Sequence, residues 1–411
     1  MSTPRESERQ LDRRQLLGTS LGLAAGATWL HGCAPEAVPT EAAPAADDVL
    51  PDGVDPGAFV VHGTNPWTME TKREQLRGLI TPTDKIFVRG NLPFPDASVL
   101  EDRDAWKLEI GGVGSPRTMT LADLKGLGRT TIAAVLQCSG NGRVFYEHGP
   151  SGSPWGVGAA ANVVWTGVPL RTVLEAVGGP GADAKFLTAT GGEAIPAGLD
   201  ERQIVVERSV PLDKALADAI LAWDLNSEPI NLSHGGPLRL IVPGYYGVNN
   251  VKYLKRLTVA AEESDAKIQR TSYRVRPIGE KGSADQPSMW AMNVKSWIES
   301  PLGAAHGDGP VAAGQRQITG VAFSGEAPIE SVEVSTDGGA SWSAATLVGP
   351  DLGRYAWRQF ALPWSATPGT HTLCSRAKDA SGKVQPENRM ENERGYAHNG
   401  WRDPGVTVEV V

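Results

Sequence analysis

The sequence predicts an α+β protein, in which a mixed domain of long loops and few helices is followed by a β-sandwich. Three observations carry this expectation. Glycine and proline number 48 and 30 of the 411 residues, which favours loops and strands over a helical bundle. Strand-like and helical patterns alternate through 56–285. From 286 to 411 the texture changes to short strands separated by turns.

In the first region, apolar runs at 85–88, 106–110, 131–136, 238–242 and 254–259 read as strands. Helical spacing appears at 121–127, 170–177 and 214–222. Leu170, Val173, Leu174 and Val177 fall on one helical face, and Gly178-Gly179-Pro180 stops that helix. In the second region Val332-Glu333-Val334-Ser335 alternates, and Thr336-Asp337-Gly338-Gly339 reads as a hairpin turn. Strands are expected after it at 341–347, 355–361, 371–377 and 406–411.

The N-terminus reads as an address. Arg13-Arg14 precede Gln15-Leu16-Leu17 and an apolar run to Leu30, the pattern of a twin-arginine export signal over 1–33. An ordinary secretory signal with a basic start is the alternative. The twin-arginine route carries folded proteins, commonly ones loaded with a cofactor, which places the mature chain in the periplasm. Leu30-His31-Gly32-Cys33 resembles a lipoprotein cleavage box that would lipidate Cys33. Cleavage within 42–46 is the other option. Residues 34–55, rich in Ala, Pro, Asp and Glu, read as a solvated linker.

Composition also excludes. The net charge of −8 argues against a nucleic-acid partner. Three cysteines, Cys33, Cys138 and Cys374, make no disulfide framework. No zinc spacing and no glycine-rich dinucleotide fingerprint is present.

The chemistry centres on Val135-Leu136-Gln137-Cys138-Ser139-Gly140-Asn141-Gly142-Arg143. A strand ends at a thiol, a turn of small residues follows, and an arginine closes it. Such a thiol is a soft ligand for a redox metal; a small buried cysteine before an ordinary turn is the alternative. Other segments combine cations with glycine turns: Arg89-Gly90-Asn91, Ser233-His234-Gly235-Gly236-Pro237-Leu238-Arg239, and Val251-Lys252. Backbone amides and cations together favour a phosphate.

Taken in order, these segments resemble the sulfite oxidase family of molybdenum enzymes, from about Thr81 to the C-terminus. The cysteine motif matches its Cys-Ala-Gly-Asn-Arg-Arg, and Trp155-Gly156-Val157 and Trp165-Thr166-Gly167-Val168-Pro169-Leu170 match the block that follows. Gln269-Arg270-Thr271-Ser272-Tyr273 falls where that family carries an active-site tyrosine. The resemblance implies a molybdopterin-binding domain over 56–285 and an immunoglobulin-like dimerisation domain over 286–411. It implies a molybdenum–molybdopterin cofactor held through Cys138, with Asn91, Asp200, His234, Arg239 and Lys252 around the pterin. Arg89, Arg143, Arg358, Tyr273 and Trp155 would form the substrate pocket. Read without the resemblance, Arg358 is a strand residue in a surface ion pair, Trp155 plain core packing, Tyr273 a half-buried core tyrosine and Cys374 an inert core thiol.

Two departures stand out. Arg-Asn-His is Arg89-Gly90-Asn91 here, and the first arginine after Asn141 is Gly142. The implied reaction is oxidation of sulfite to sulfate by a homodimer, with electrons leaving to an external acceptor such as cytochrome c. A related activity on sulfane sulfur or sulfoxides is the alternative, and a non-catalytic surface lipoprotein is a third reading.

Overall fold

The computed structural model describes residues 50–411. The export signal, Cys33 and most of the linker lie outside the described residues. The linker ends earlier than 55. Leu50 and Val54 pack against the buried cluster of Ala58, Phe59, Met69 and Val88, and Asp55 N–H donates to the Asp84 carbonyl.

Among the described residues no α-helix exceeds seven residues, so strands carry the architecture more heavily than the α+β expectation held. A first small sheet joins β1 (Phe59–Thr64), β2 (Trp67–Thr71) and β3 (Val88–Arg89). Then come β4 (Lys107–Gly111), β5 (Arg117–Thr120), α1 (Leu121–Gly126), β6 (Thr130–Gln137), β7 (Ala160–Pro169) and α2 (Leu170–Ala176). Next are β8 (Phe186–Thr190), α3 (Glu201–Ile204), β9 (Glu207–Pro211), α4 (Leu212–Asp218), β10 (Ile220–Leu225), β11 (Glu228–Pro229), β12 (Arg239–Ile241) and β13 (Arg256–Ala260).

These strands form two five-stranded sheets. One runs β11-β10-β7-β6 with β12 also on β10; the other runs β5-β4-β13-β8-β9. Pairing is antiparallel except between β13 and β4. Apolar side chains of both sheets and of α1, α2 and α4 share one core, with Leu108, Leu187, Leu221 and Leu257 at its centre. The helix expected at 214–222 is shorter. It ends at Asp218, and Ile220–Leu225 pairs as a strand with β7 and β12. Ile220, Leu221 and Ala222 are all buried, so an apolar run that continued the helical period serves as an interior strand instead.

The second half is a single path of seven strands in the order β14-β15-β18-β17-β16-β19-β20. They span Lys295–Ser300, Gly314–Phe323, Ile329–Ser335, Ser343–Val348, Arg358–Ala366, Gly369–Asp379 and Val406–Val410 in chain order from β14 to β20. In β20, Val406, Val408 and Val410 are buried while Thr407 and Glu409 face out, the period of two that a half-buried strand requires. The turn at 336–339 joins β16 to β17, and Asp337 Oδ1 accepts from Ser341 N–H. Cys374 is buried in β19, where burial pushes its thiol up to about 11.

The two halves share a core. Val135, Val157, Ala160 and Tyr246 pack with Trp297, Val321, Phe323, Trp357 and Tyr396. The Arg73 guanidinium, a buried group of the first half, donates to the Ile298 carbonyl of the second from Nε (3.3 Å) and Nη2 (3.0 Å). Among the described residues no helix is long and apolar enough to cross a membrane.

Leu257 is fully buried at the centre of the first core. Leu257→Ala should lower the unfolding free energy by about 2–5 kcal/mol, the usual range for a buried leucine. Chemical denaturation followed by circular dichroism measures this, and a loss near zero would show that the site collapses around the shorter side chain.

Candidate active site

β6 delivers the cysteine. Its ladder with β7 runs to Gln137 opposite Ala160, and Cys138 N–H continues it by donating to the Ala159 carbonyl at 2.9 Å. The chain then reverses, with Asn141 N–H donating to Cys138 O and Arg143 N–H to Gly140 O. Asn141 locks the turn. Its Nδ2 donates to Gln137 Oε1 at 3.1 Å and its Oδ1 accepts from Ala159 N–H at 3.1 Å. Gly142 follows at φ +103°, a left-handed conformation open to glycine. The Cys138 thiol is left partly exposed and unpaired.

Cys138 faces a cleft of about 610 Å³, part of it open to solvent. Arg89 and Asn91 reach it from the end of β3, where Arg89 pairs across to Thr68 of β2. Tyr273 enters after a wide helical turn at Ile268–Ser272, and its hydroxyl donates to Asn91 Oδ1 at 3.2 Å. Tyr396 stacks on its ring at 5.3 Å with planes 9° apart, and the Arg208 guanidinium lies 5.7 Å from the ring centroid. Burial pushes the Tyr273 hydroxyl up to about 12, against the opposing pull of Arg89 and Arg143, so it stays a proton donor at neutral pH.

Arg239 lines the same cleft from the start of β12, with His234 from the segment before that strand and Lys252 from the segment after it. Arg239 donates from Nε to Asn250 O (3.0 Å) and from Nη1 to His234 O (2.8 Å); burial lowers it to about 10. Lys252 Nζ donates to Ser233 O at 3.2 Å, and burial with Arg239 nearby pulls its ammonium down. His234 is fixed through Nδ1 at 2.8 Å from Asn231 Oδ1. Burial, then the Arg239 charge, lowers its imidazole to about 3, so it is neutral.

The structure thus brings Cys138, Arg89, Asn91, Tyr273, His234, Arg239 and Lys252 to one cleft. Four expected site residues do not line it. Arg143 is buried, with Nε on Arg394 O (3.0 Å) and Nη1 on Ser153 O (2.7 Å), so two of its N–H groups serve loop carbonyls. Trp155 is buried edge-on to His62 and Phe87, the latter a cleft residue, and so stands one layer behind the wall. Asp200 is exposed and caps α3 through Arg202 N–H, a local turn role that draws it away from the cleft. Arg358 pairs with the exposed Asp351 at 2.9 Å, while its own side chain is mostly covered and its Nε is buried without a partner.

Other residues come into view. Glu193 lines the cleft, is buried, and leaves Oε2 without a partner; burial pushes its carboxyl up, opposed first by Lys252. It sits in Gly191-Gly192-Glu193, an acid directly after a glycine pair at the end of β8, and that pattern is the signal that could have found it. From the second half, Arg394 stands near enough to lower Arg143 electrostatically, and its own Nε is buried without a partner. Arg394 lies in Glu393-Arg394-Gly395-Tyr396, next but one to the tyrosine that stacks on Tyr273.

The cleft suits an anionic, metal-bearing ligand. Arg239 is buried and Lys252 half-buried, each with hydrogen bonds to carbonyls alone, and among the described residues neither has an ion pair within 4.0 Å. Ser139 Oγ, also in the cleft wall, is buried and unpartnered. Buried charge and orphaned polar atoms of this kind call for a bound partner, and the one thiol in the lining is a soft metal ligand.

Comparison with known proteins agrees. The model of the oxidoreductase molybdopterin binding domain matches residues 93–268, and that of the Mo-co oxidoreductase dimerisation domain matches 286–409. The chain is 32% identical to mitochondrial sulfite oxidase of Drosophila melanogaster over 84% of its length and 65% of that relative's. It is 30% identical to sulfite oxidase of Gallus gallus, covering 89% of this chain and 82% of that one. The chain belongs to the sulfite oxidase family. The crystal structure of the sulfane dehydrogenase SoxCD from Paracoccus pantotrophus superposes with a TM-score of 0.69 at 29% identity, over 85% of this chain and 88% of that one. This sulfite oxidase family member is a molybdopterin-dependent oxidoreductase, and its cofactor is molybdenum–molybdopterin.

His234 sets an acid limit on the fold. Its folded value of about 3 lies below the ordinary 6.5, so unfolded chain takes up the proton first as pH falls. The stabilisation is whole above pH 6.5 and is lost as pH drops toward 3. The thermal midpoint of chain prepared without cofactor should decline from pH 6.5 to 4, and His234→Gln should make that decline shallower. An unchanged slope in the variant would assign the acid sensitivity elsewhere.

Proposed function

We propose that this chain oxidises sulfite: sulfite and water give sulfate, two protons and two electrons, and the electrons leave to an external acceptor such as cytochrome c. The observation that carries the reading is the single cleft that gathers Cys138, Arg89 and Tyr273 with the buried Arg239 and half-buried Lys252, neither of which is in an ion pair.

In this reading Cys138 holds the metal, while His234, Arg239 and Lys252 hold the phosphate of the pterin, with Asn91 and Glu193 completing the cofactor wall. When bound, the cofactor supplies two-electron oxygen-atom transfer that no amino-acid side chain can perform. The rest is the work of this chain. Arg89 draws the sulfite oxyanion to the cleft and holds it by charge-assisted hydrogen bonds, which strengthen where water is thinned. Tyr273, protonated at neutral pH, offers its O–H; Asn91 accepts that proton's hydrogen bond when no ligand takes it. Tyr396 and Arg208 keep the ring from turning. Arg143 orders the loops at Ser153 and Arg394 from behind the turn.

Further features of the reading come from the sequence. The chain leaves the cytoplasm by the twin-arginine route and works in the periplasm, with Cys33 as its lipid anchor. The seven-stranded second half is an immunoglobulin-like sandwich through which two copies pair.

The test is Cys138→Ser. Sulfite-dependent reduction of cytochrome c or ferricyanide should vanish, and the circular dichroism spectrum should stay as it was. Full activity in that variant removes Cys138 from the mechanism. Wild-type enzyme that reduces a panel of sulfoxides and leaves sulfite untouched would replace the substrate.

A further inference from the structure

Gly142 closes the cysteine turn in a left-handed conformation, and the structure shows what occupies the space beside it. A Cβ placed on Gly142 would collide with the imidazole of His398, from the far end of the second half. We infer that His398 is a positioning residue for the Cys138 turn, interlocked with Gly142 so that the second half of the chain fixes the metal-binding loop.

Four observations support this. The His398 side chain is fully buried, and its Nε2–H donates to Asp403 Oδ2 at 2.8 Å. Its ring packs at 5.1 Å on Phe145 and 6.1 Å on Tyr146, both just beyond the turn. Its neighbour Ala397 donates N–H to Ser139 O at 3.0 Å. From β14, Lys295 Nζ donates to Asn141 O at 3.1 Å. Together with the Arg394 carbonyl on Arg143 Nε, second-half groups therefore touch the turn at Ser139, Asn141, Gly142 and Arg143. The first half holds it through Ala159 and Gln137.

The imidazole acts by shape. Burial and the adjacent Lys295 keep it neutral, so it adds no charge to the turn. An L-residue at 142 would meet both a left-handed backbone and a filled volume. Position 142 and position 398 must therefore change together.

The inference rests on Cys138 being the metal ligand, and the experiment separates the two. Molybdenum per chain after prolonged dialysis, and the electron paramagnetic resonance signature of the partly reduced enzyme, are measured on holoenzyme. The variants are His398→Ala, His398→Gln, Asp403→Asn, Val408→Ala and Cys138→Ser. His398→Ala should lose molybdenum several-fold faster and shift the signature. His398→Gln, which refills the space and still donates to Asp403, should restore most of both. Asp403→Asn should shift the signature in the same direction by less, and it decides the matter where His398→Ala fails to fold. Val408→Ala, in the second-half core, should lower the thermal midpoint and leave the signature alone. Wild-type retention and signature in His398→Ala, or in Asp403→Asn where it stands in, would overturn the inference. So would an equal shift in Val408→Ala. A wild-type paramagnetic signature in Cys138→Ser would defeat the ligand assignment itself, whatever the His398 variants do.

Discussion

Arg239 lies buried and Lys252 half-buried, with carbonyl oxygens as their hydrogen-bond partners, and the site is built around that uncompensated charge. A buried ammonium or guanidinium is tolerated when an opposite charge or a dense set of acceptors meets it. Here the nearest acid, Glu193, is itself pushed toward its neutral form by burial. Burial first, and then the charges of Arg239 and Lys252, hold His234 neutral, so the wall presents two cations and a polar imidazole rather than three cations. An anionic ligand arriving in the cleft meets electrostatic demand already paid into the fold.

That demand explains why the two halves cannot be treated as separable. A cleft that stores unfavourable charge needs rigid walls. One wall, the Cys138 turn, has its outer side formed by residues some 150 to 260 positions downstream, Lys295 and Ala397–His398 among them. Tyr273 is held the same way, with Arg208 from the first half and Tyr396 from the second. The second half thus has a task inside the protomer, distinct from any pairing of copies. Its shared core with Trp297, Phe323 and Trp357 is the apolar counterpart of those polar contacts.

How much of this was legible depended on sequence separation. Cys138 and Arg89 sit where a strand gives way to a glycine-containing turn, and His234 stands before a glycine pair five residues ahead of Arg239 at the start of β12, patterns local enough to read along the chain. The strand boundaries of β4, β6 and β13 came out within a residue or two for the same reason. Asp200 and Glu193 are both acids in one loop; the glycine pair before Glu193 marks the one that turns inward, and the other caps α3. Arg358 entered the expected pocket through the resemblance alone, while Arg394 lies in a loop packed on Tyr146 and Pro150, a contact made by residues some 250 positions apart in the chain. The helix over-extended to 222 failed where tertiary burial overrode period, since Ile220–Ala222 became a middle strand.

The distribution of positive charge then bears on recognition. Gly142 carries none, Arg143 spends N–H groups on Ser153 and Arg394 carbonyls, and Arg358 is paired with Asp351. Among the described residues, Arg89 is the guanidinium that lines the cleft beside Cys138 and Tyr273, while Arg239 belongs with Lys252 and His234. An oxyanion therefore meets one direct guanidinium and one phenolic O–H, with Arg143 and Arg394 contributing field from behind the wall. A field acts on any anion, whereas a hydrogen bond selects shape. Selectivity in this cleft consequently concentrates on the Arg89–Tyr273 pair, and the packing that fixes Tyr273 governs which sulfur compound can be held there.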